Sequence, residues 1–582
     1  MKKALLSLTL VLSAAAASAQ VIVAGVSPQN IVANYNHSWA DPAGGWGTPD
    51  FNIPGTFVED TLMIVDDGST GTNAQGNPVS AEGCNPLIND LTGKIAVIYR
   101  NTCEFGLKAF NAQNAGAVGV IVINRNPNEW INMGAGADGA NVTIPVVMLD
   151  INDGQTIVAE MQNGPVVMFL GNKTGLFAND IALSSGAALA PKGGMVHSLL
   201  AQNGTEFNFD LGARVYNPGN QAQANVSLNA KVTDPSGAIV YDNTVSGLSI
   251  NSADSSDVYP GGASTFPNFS LSSYPAGTYT VTYTADLGGT DEYSDDNVLT
   301  FTFSINDSVF SYTNVDPATG SMKANNFYRP GTNNQTYSVC TVINDPNASR
   351  TAATGVYFAA TKATGSTPLD GEEIALYLYK WEDAFTDLND ANLAFNTLTE
   401  VASGFYYYPG DLQGDIVYGA FNTPVVLTDN ERYLACAQTV NLELYLGYGD
   451  QNYTWNTDLY LQPMFPNESD GTYYAIGFGS DLPSALGVAL VDANSIGLAE
   501  VNTVEGSAYP NPANDKVTVS IEAEGAATLN VTDVSGKTVM TSSINLTAGK
   551  SDVNISALEA GMYIFNVALE NGKVAQFNVV KK

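Results

Sequence analysis

Only two histidines occur in the chain, so a serine-type triad, which needs a histidine as its proton shuttle, must use one of them. His37 stands in NYNHSWADPAGGW and His197 in KGGMVHSLL. No Gly-x-Ser-x-Gly elbow offers either one a nucleophile, and no His-Glu-x-x-His pair offers a zinc seat. Both are expected to be structural. The four cysteines, Cys84, Cys103, Cys340 and Cys436, contain no Cys-x-x-Cys spacing. An even count in an exported chain favours disulfides over a reactive thiol. Three pairings are open, and nearness in sequence favours Cys84–Cys103 and Cys340–Cys436. GAGADG at 134–139 matches a phosphate-loop pattern letter for letter. A phosphate loop must open a helix, whereas the strand-like NVTIPVVML follows here, so a plain glycine loop is expected. No catalytic residue is therefore assigned.

Clustered oxygen donors suit calcium, the one cofactor entertained. Candidates are Asp66 and Asp67 in VDDGSTG, Asp387 and Asp390 in DLNDAN, and DEYSDDN at 291–297. None has EF-hand spacing, and ordinary acidic turns are the simpler reading. Paired carboxylates could hydrolyse glycosides, but 57 acidic residues guarantee chance pairs and no pair stands out. Aromatic residues gather late, in FYYYPG (405–410), YLGYGDQNYTW (445–455) and the pair at Tyr473. Such rings either fill a core or stand exposed to stack on sugars or anchor protein contacts.

Across the whole chain, 22 Lys and Arg against 57 Asp and Glu leave a net charge of −35. That charge repels phosphate backbones, so nucleic acid and anionic lipid are excluded as partners. The first residues, MKKALLSLTLVLSAAAASAQ, have two lysines, an apolar run and a small-residue cleavage site, which predicts a signal peptide over 1–19. No later stretch approaches the roughly 18 apolar residues a membrane helix needs, so an exported chain with no transmembrane segment is expected. Its 582 residues call for several domains.

Between 20 and 172 the pattern mixes strands and helices. KIAVIYR (94–100) is a β-rich apolar run. Phe105, Ala109, Ala112 and Gly116 then recur at helical spacing, with Gly116 as the stop. VGVIVIN is a near-continuous apolar strand of the kind buried on both faces, which makes the unit a right-handed βαβ crossover. A second helix is expected in NDGQTIVAEMQNG, with Asn152 or Asp153 as N-cap and Gly164 as stop.

GCNPL (83–87), GKIAVIYRNTCEF (93–105), NAQNAGAVGVIVIN (111–124) and TIPVVML (143–149) together resemble the protease-associated (PA) domain. One departure is Asn101, where that family usually has glycine; Asn tolerates a left-handed backbone, so the turn is expected to survive. The resemblance implies an α/β fold, a protein-interaction role and a bridge between the positions of Cys84 and Cys103. PA domains often accompany secreted peptidases, yet the roughly 40 residues ahead of the PA region are too few for a peptidase core.

The remainder reads as all-β. At 175–305, VSLNAKVTDPSGAIVYDNTV forms two strands around an Asp-Pro-Ser-Gly turn, and AGTYTVTYTADL alternates large apolar residues with Thr, as in an immunoglobulin-like β-sandwich. At 306–498, QTYSVCTVIN and RYLACAQTVN are strands with a central cysteine in a larger, jelly-roll-like β-sandwich. From 505 to 582 the chain reads as a small C-terminal β-sandwich, built from YPNPANDKVTVSI, LNVTDVSGKTVM, ALEAGMYIFNVALENGK and FNVVKK. These motifs closely resemble the type A C-terminal sorting domain of the type IX secretion system of Bacteroidetes. The residues that carry the likeness are Tyr509, Pro510, Asn511, Pro512, Asp533, Gly536, Lys537, Gly561, Tyr563, Lys581 and Lys582. The resemblance implies the type IX translocon and its sortase as partners. It also implies removal of the domain and attachment to surface lipopolysaccharide or release.

The expectation is a mostly β, multidomain, non-enzymatic protein at the cell surface or in the medium, binding a protein or glycan. The alternatives are an accessory factor for secreted peptidases, or a hydrolase with its site in 306–498.

Overall fold

The computed structural model describes residues 21–127, 129–317, 319–330, 336–362, 367–496, 504, 506–533, 537–569 and 573–582. The signal peptide expected at 1–19 and Gly536 lie outside the described residues. The chain divides into two compact units. One holds most of it up to residue 490, and the other holds the tail from Val491 with short pieces at 348–353 and 426–428.

In the first unit, β3 (Phe57–Ile64), β4 (Ile95–Tyr99), β5 (Gly119–Ile123) and β6 (Val146–Leu149) form a parallel run. Strand β1 (Val21–Ser27) pairs with β7 (Val167–Asn172), which lies antiparallel to β3 on one side. On the other side β2 (Ser38–Trp39) pairs with β6. The segment ahead of residue 57 therefore completes both edges of this sheet. All five residues of β4 and of β5 are buried, as a sheet covered on both faces requires.

Helix α1 (Phe105–Asn114) puts Ala109 and Ala112 against Ala96, Ile98, Val120 and Val122 on one face. Helix α2 (Ile151–Met161) puts Ile157 into the opposite core with Ile95, Val97, Ile121 and Ile123. Successive residues of one strand thus feed two different cores. A left-handed Gly116 follows α1, where a Cβ would come within 3.0 Å of the Thr92 backbone. The cap of α2 corrects the sequence reading. It is Asp150, whose carboxylate accepts from Asp153 N at 2.8 Å, and the helix closes at Met161, short of Gly164. Asn101 also differs from expectation. It is not among the residues with positive φ, and its side chain donates to Gln75 Oε1 instead.

A nine-stranded sheet follows, in the order Ile239–Ile250, Gln223–Thr233, Gly277–Asp286, Val298–Asn306, Met195–His197, Val309–Ser311, Leu486–Asp492, Thr351–Phe358, Val417–Val426. In Gly277–Asp286 the residues Tyr279, Val281, Tyr283 and Ala285 are buried while the intervening threonines are only partly so. The boundary expected at 305/306 falls at a turn inside this one sheet. Asn306 holds that turn by accepting from Ser308 N and Val309 N. Packed with it is a six-stranded sheet in which Tyr337–Ile343 lies beside Tyr433–Thr439, with Cys340 directly opposite Cys436. Gly404 and Gly419 allow the close approach, since a Cβ at Gly404 would meet Ala420 O at 2.2 Å.

The tail is a separate sandwich of three and four strands around Val517, Leu529, Val531, Phe565 and Val567.

Candidate functional site

His37 is half-buried; burial pulls its pKa down, and its Nδ1 lies 2.9 Å from Tyr35 O. His197 is buried, and its Nδ1 accepts from Leu199 N. Cys84 is bridged to Cys103, and Cys340 to Cys436. The acidic turns bind their own backbone. Asp66 accepts from Gly68 N, Asp67 from Ser69 N and Asn85 N, Asp387 from Asn389 N and Asp390 from Asn392 N. GAGADG is a loop seated on the start of α1. Gly106 leaves room for Ala135 O, and Glu104 accepts from Ala137 N. Of the late aromatics, Tyr408, Tyr448, Tyr453 and Trp455 are buried, whereas Phe405 and Tyr407 are more than half exposed.

In the tail, Asn511 ties the first segment to the last strand: its Nδ2 donates to Asn578 O and its Oδ1 accepts from Val580 N. Pro510 and Pro512 flank it, and Tyr509 is 44% exposed. Asp533 accepts from Lys537 N across its turn. The Tyr563 hydroxyl donates to Glu559 O, two residues ahead of Gly561. Lys582 N donates to Ala513 O, and Lys581 lies 3.8 Å from Asp515.

One constellation was missed. Open α/β sheets bind ligands beyond the carboxyl ends of their parallel strands. Here Arg100 follows the end of β4, and Asn124, Arg125 and Asn126 follow the end of β5. Arg100, Arg125 and Asn126 line a cavity of about 730 Å³, closed on its far side by Phe327, Tyr328, Lys362, Gln413 and Tyr445 of the following β region. Glu129 organises the near wall. Its Oε2 accepts from Arg100 Nη1 at 3.0 Å, Asn124 Nδ2 at 2.7 Å and Asn126 Nδ2 at 3.0 Å. Arg100 also donates to Asn124 Oδ1, and its guanidinium lies 5.7 Å from the Phe105 ring. Burial, then the like charge of Arg125, lower the Arg100 pKa.

Charge bookkeeping at the cavity leaves Arg125 in excess. Lys362 is neutralised by Glu372, and Arg100 by Glu129. The Nε of Arg125 is buried with no hydrogen-bond partner among the described residues. The far wall senses the near one. Burial first, then Glu129, raise the Tyr328 pKa, and Arg100 opposes them. No sequence signal pointed here, because the two walls lie about 200 positions apart.

A second buried cluster fixes the chain where it leaves β7. Lys173 reaches Asp180 at 2.7 Å and Asp296 at 2.8 Å, and sits 4.2 Å from the Tyr293 ring centre. Burial, with a smaller part from neighbouring carboxylates, raises both acid pKa values. Burial pushes Asp180 to about 6 and Asp296 to about 7, with Lys173 opposing both shifts.

Residues 60–157 match the family described as PA domain, and residues 507–581 match the secretion system C-terminal sorting domain. Among curated proteins, the minor extracellular protease Vpr of Bacillus subtilis is 36% identical over 75 residues, covering 13% of this chain and 9% of that protein. Aminopeptidase YwaD of the same organism is 34% identical over 124 residues, covering 19% of this chain and 27% of that protein. The chain thus spans about a tenth to a quarter of the length of these relatives. A solved aminopeptidase from Aneurinibacillus sp. strain AM-1 is 20% identical, with 26% of this chain and 30% of that one covered and a TM-score of 0.19. The sorting domain marks the protein for export through the type IX system to the cell surface or the medium. Among the described residues no helix is long and apolar enough to cross a membrane.

Proposed function

We propose that this secreted chain is a non-enzymatic binding protein. In this reading its PA module holds a partner protein through a carboxylate seated in the cavity at the ends of β4 and β5. The observation that carries the reading is Arg125. It is a guanidinium in excess over its acid partners, in a chain of net charge −35; it lines the cavity, and its buried Nε has no hydrogen-bond partner among the described residues. Arginine's fork of N–H donors matches a carboxylate in two-point contact. Aromatic rings across the cavity supply apolar contact for the residues beside that carboxylate.

The long-range field of an acidic protein repels an acidic partner, so recognition must be short-range and limited to one or two carboxylates. Two partly matching relatives are named as a protease and an aminopeptidase, which makes secreted peptidases the first place to look for a partner. The test is paired. Purified protein incubated with labelled casein and a polysaccharide panel is expected to give no turnover. Wild-type protein immobilised in culture medium is expected to retain a secreted peptidase that an Arg100→Gln/Arg125→Gln variant releases. Turnover that survives inhibitor controls would overturn the non-enzymatic reading. Equal retention by the variant would overturn the cavity.

A further inference from the structure

A different groove carries a second inference, independent of the PA cavity. It has a volume of about 420 Å³, within the roughly 300–1,000 Å³ of small-ligand sites. One wall comes from the 175–305 region, with Lys192, Asn208, Phe209, Asp210 and Asn268. The other comes from the larger β region, with Tyr312, Asn344, Arg432, Tyr460 and Gln462.

The walls are locked together before any ligand arrives. Asn456 clips onto Ala190 through both its N–H and its carbonyl, at 3.0 Å each, and Tyr460 donates to Asp210 Oδ2 at 2.9 Å. A pre-set groove avoids the ordering cost that weakens binding by mobile loops. Its polar groups are also held. Asp210 Oδ1 accepts from Asn268 Nδ2 at 3.0 Å. Arg432 donates to the carbonyls of Asp383 and Phe385, with its guanidinium 3.6 Å from the Phe385 ring centre. These two bonds use two of the five N–H donors of a guanidinium, and a carboxylate with two bonds keeps lone pairs free.

We infer that this groove binds a short oligosaccharide. Sugar hydroxyls both donate and accept. Side-chain amides do the same, and the rim carries Asn208, Asn268, Asn344 and Gln462 beside one fixed acid and one fixed guanidinium. Tyr460, 41% exposed, and Tyr312 give the aromatic surface on which the apolar face of a pyranose ring rests. Lys192, exposed on the rim, and Arg432 place positive charge where a hexuronate carboxylate would enter.

The test is calorimetric titration of the full chain with maltotriose, cellotriose and tri-galacturonate. At least one trisaccharide is expected to bind saturably. Asp210→Asn and Asn268→Ala are each expected to weaken it about tenfold with the melting temperature held, while Arg125→Ala in the PA cavity leaves it unchanged. Preference for tri-galacturonate, lost in Lys192→Ala, would assign the cations to a carboxylate. Equal binding of a neutral trisaccharide would assign them to hydroxyls. No saturable binding by any of the three would overturn the inference. So would affinity unmoved by Asp210→Asn and Asn268→Ala, or lowered equally by Arg125→Ala.

Discussion

The PA module and the sorting domain are both small and built around sheets, but their interiors are chemically opposite. Inside the PA module, Lys108 is fully buried, donating to Glu82 O at 2.7 Å and Tyr99 O at 3.2 Å. Glu82, Asn124 and Asp150 are buried with it. Burial pulls the Lys108 ammonium down to about 8, although Glu82 and Asp67 oppose the shift. The tail core, by contrast, is apolar throughout among the described residues, with alternating strands around Leu529, Val531, Phe565 and Val567. The tail needs only to fold and present its exposed motif. The PA module holds charges in fixed places, and a fixed set of charges is what a recognition surface requires. On the proposed reading, delivery and recognition fall to different interiors.

The largest test of that division is deletion of residues 509–582. Surface and medium protein should disappear, with the truncated chain found in the periplasm by fractionation and its first unit still melting cooperatively. Arrival at the surface without the tail would break the comparison.

Next in size is Lys173→Met. Removing one partner from a buried ionic cluster costs about 3–5 kcal/mol, so the first unit should melt far lower at pH 7.5 while the tail transition stays in place. The pH dependence has a definite sign. Asp180 and Asp296 titrate near 6 and 7 in the folded chain, above the ordinary 3.8. Between about pH 4 and 7 the folded state therefore holds protons that the unfolded state releases, and this cluster's contribution to stability falls as pH rises through that window. The Lys173→Met deficit should accordingly shrink at pH 5, where the acids can hold their protons. Calorimetry at the two pH values checks this.

A smaller effect is expected of Cys84→Ser/Cys103→Ser. The bridge spans 19 residues, and loops of that size contribute about 3 kcal/mol, again to the first unit alone. Smallest is Asn511→Ala in the tail. Losing a side chain that brackets Asn578 O and Val580 N should cost about 1 kcal/mol per bond and lower only the tail transition in a denaturant melt.

Local pattern was legible in the sequence and long-range chemistry was not. Helix α1, its Gly116 stop and the Tyr-Val-Tyr alternation of Gly277–Asp286 follow from periods of 3.6 and 2, which any window of the chain displays. Asp150 was missed as a cap because it also ends an apolar strand, and the helix reading began only after it. The Lys173 cluster was invisible for another reason. Asp296 stood inside an acidic run that looked like a solvated turn, and only tertiary contact across more than 100 positions brings it to Lys173. The PA cavity shares that origin, since Arg125 lines it together with Tyr328 and Tyr445 through packing that no periodicity encodes.

The central claim, that Arg125 seats a partner's carboxylate, is tested most directly by fluorescence anisotropy. The probes are a labelled peptide with a free C-terminal carboxylate, its C-terminally amidated form, and an amidated peptide carrying one internal glutamate, each titrated with the full chain. The account predicts saturable binding of a carboxylate-bearing peptide, at least fivefold weaker for Arg125→Ala and weaker again as salt is raised. Binding that treats all three peptides alike, or that Arg125→Ala leaves untouched, would contradict it.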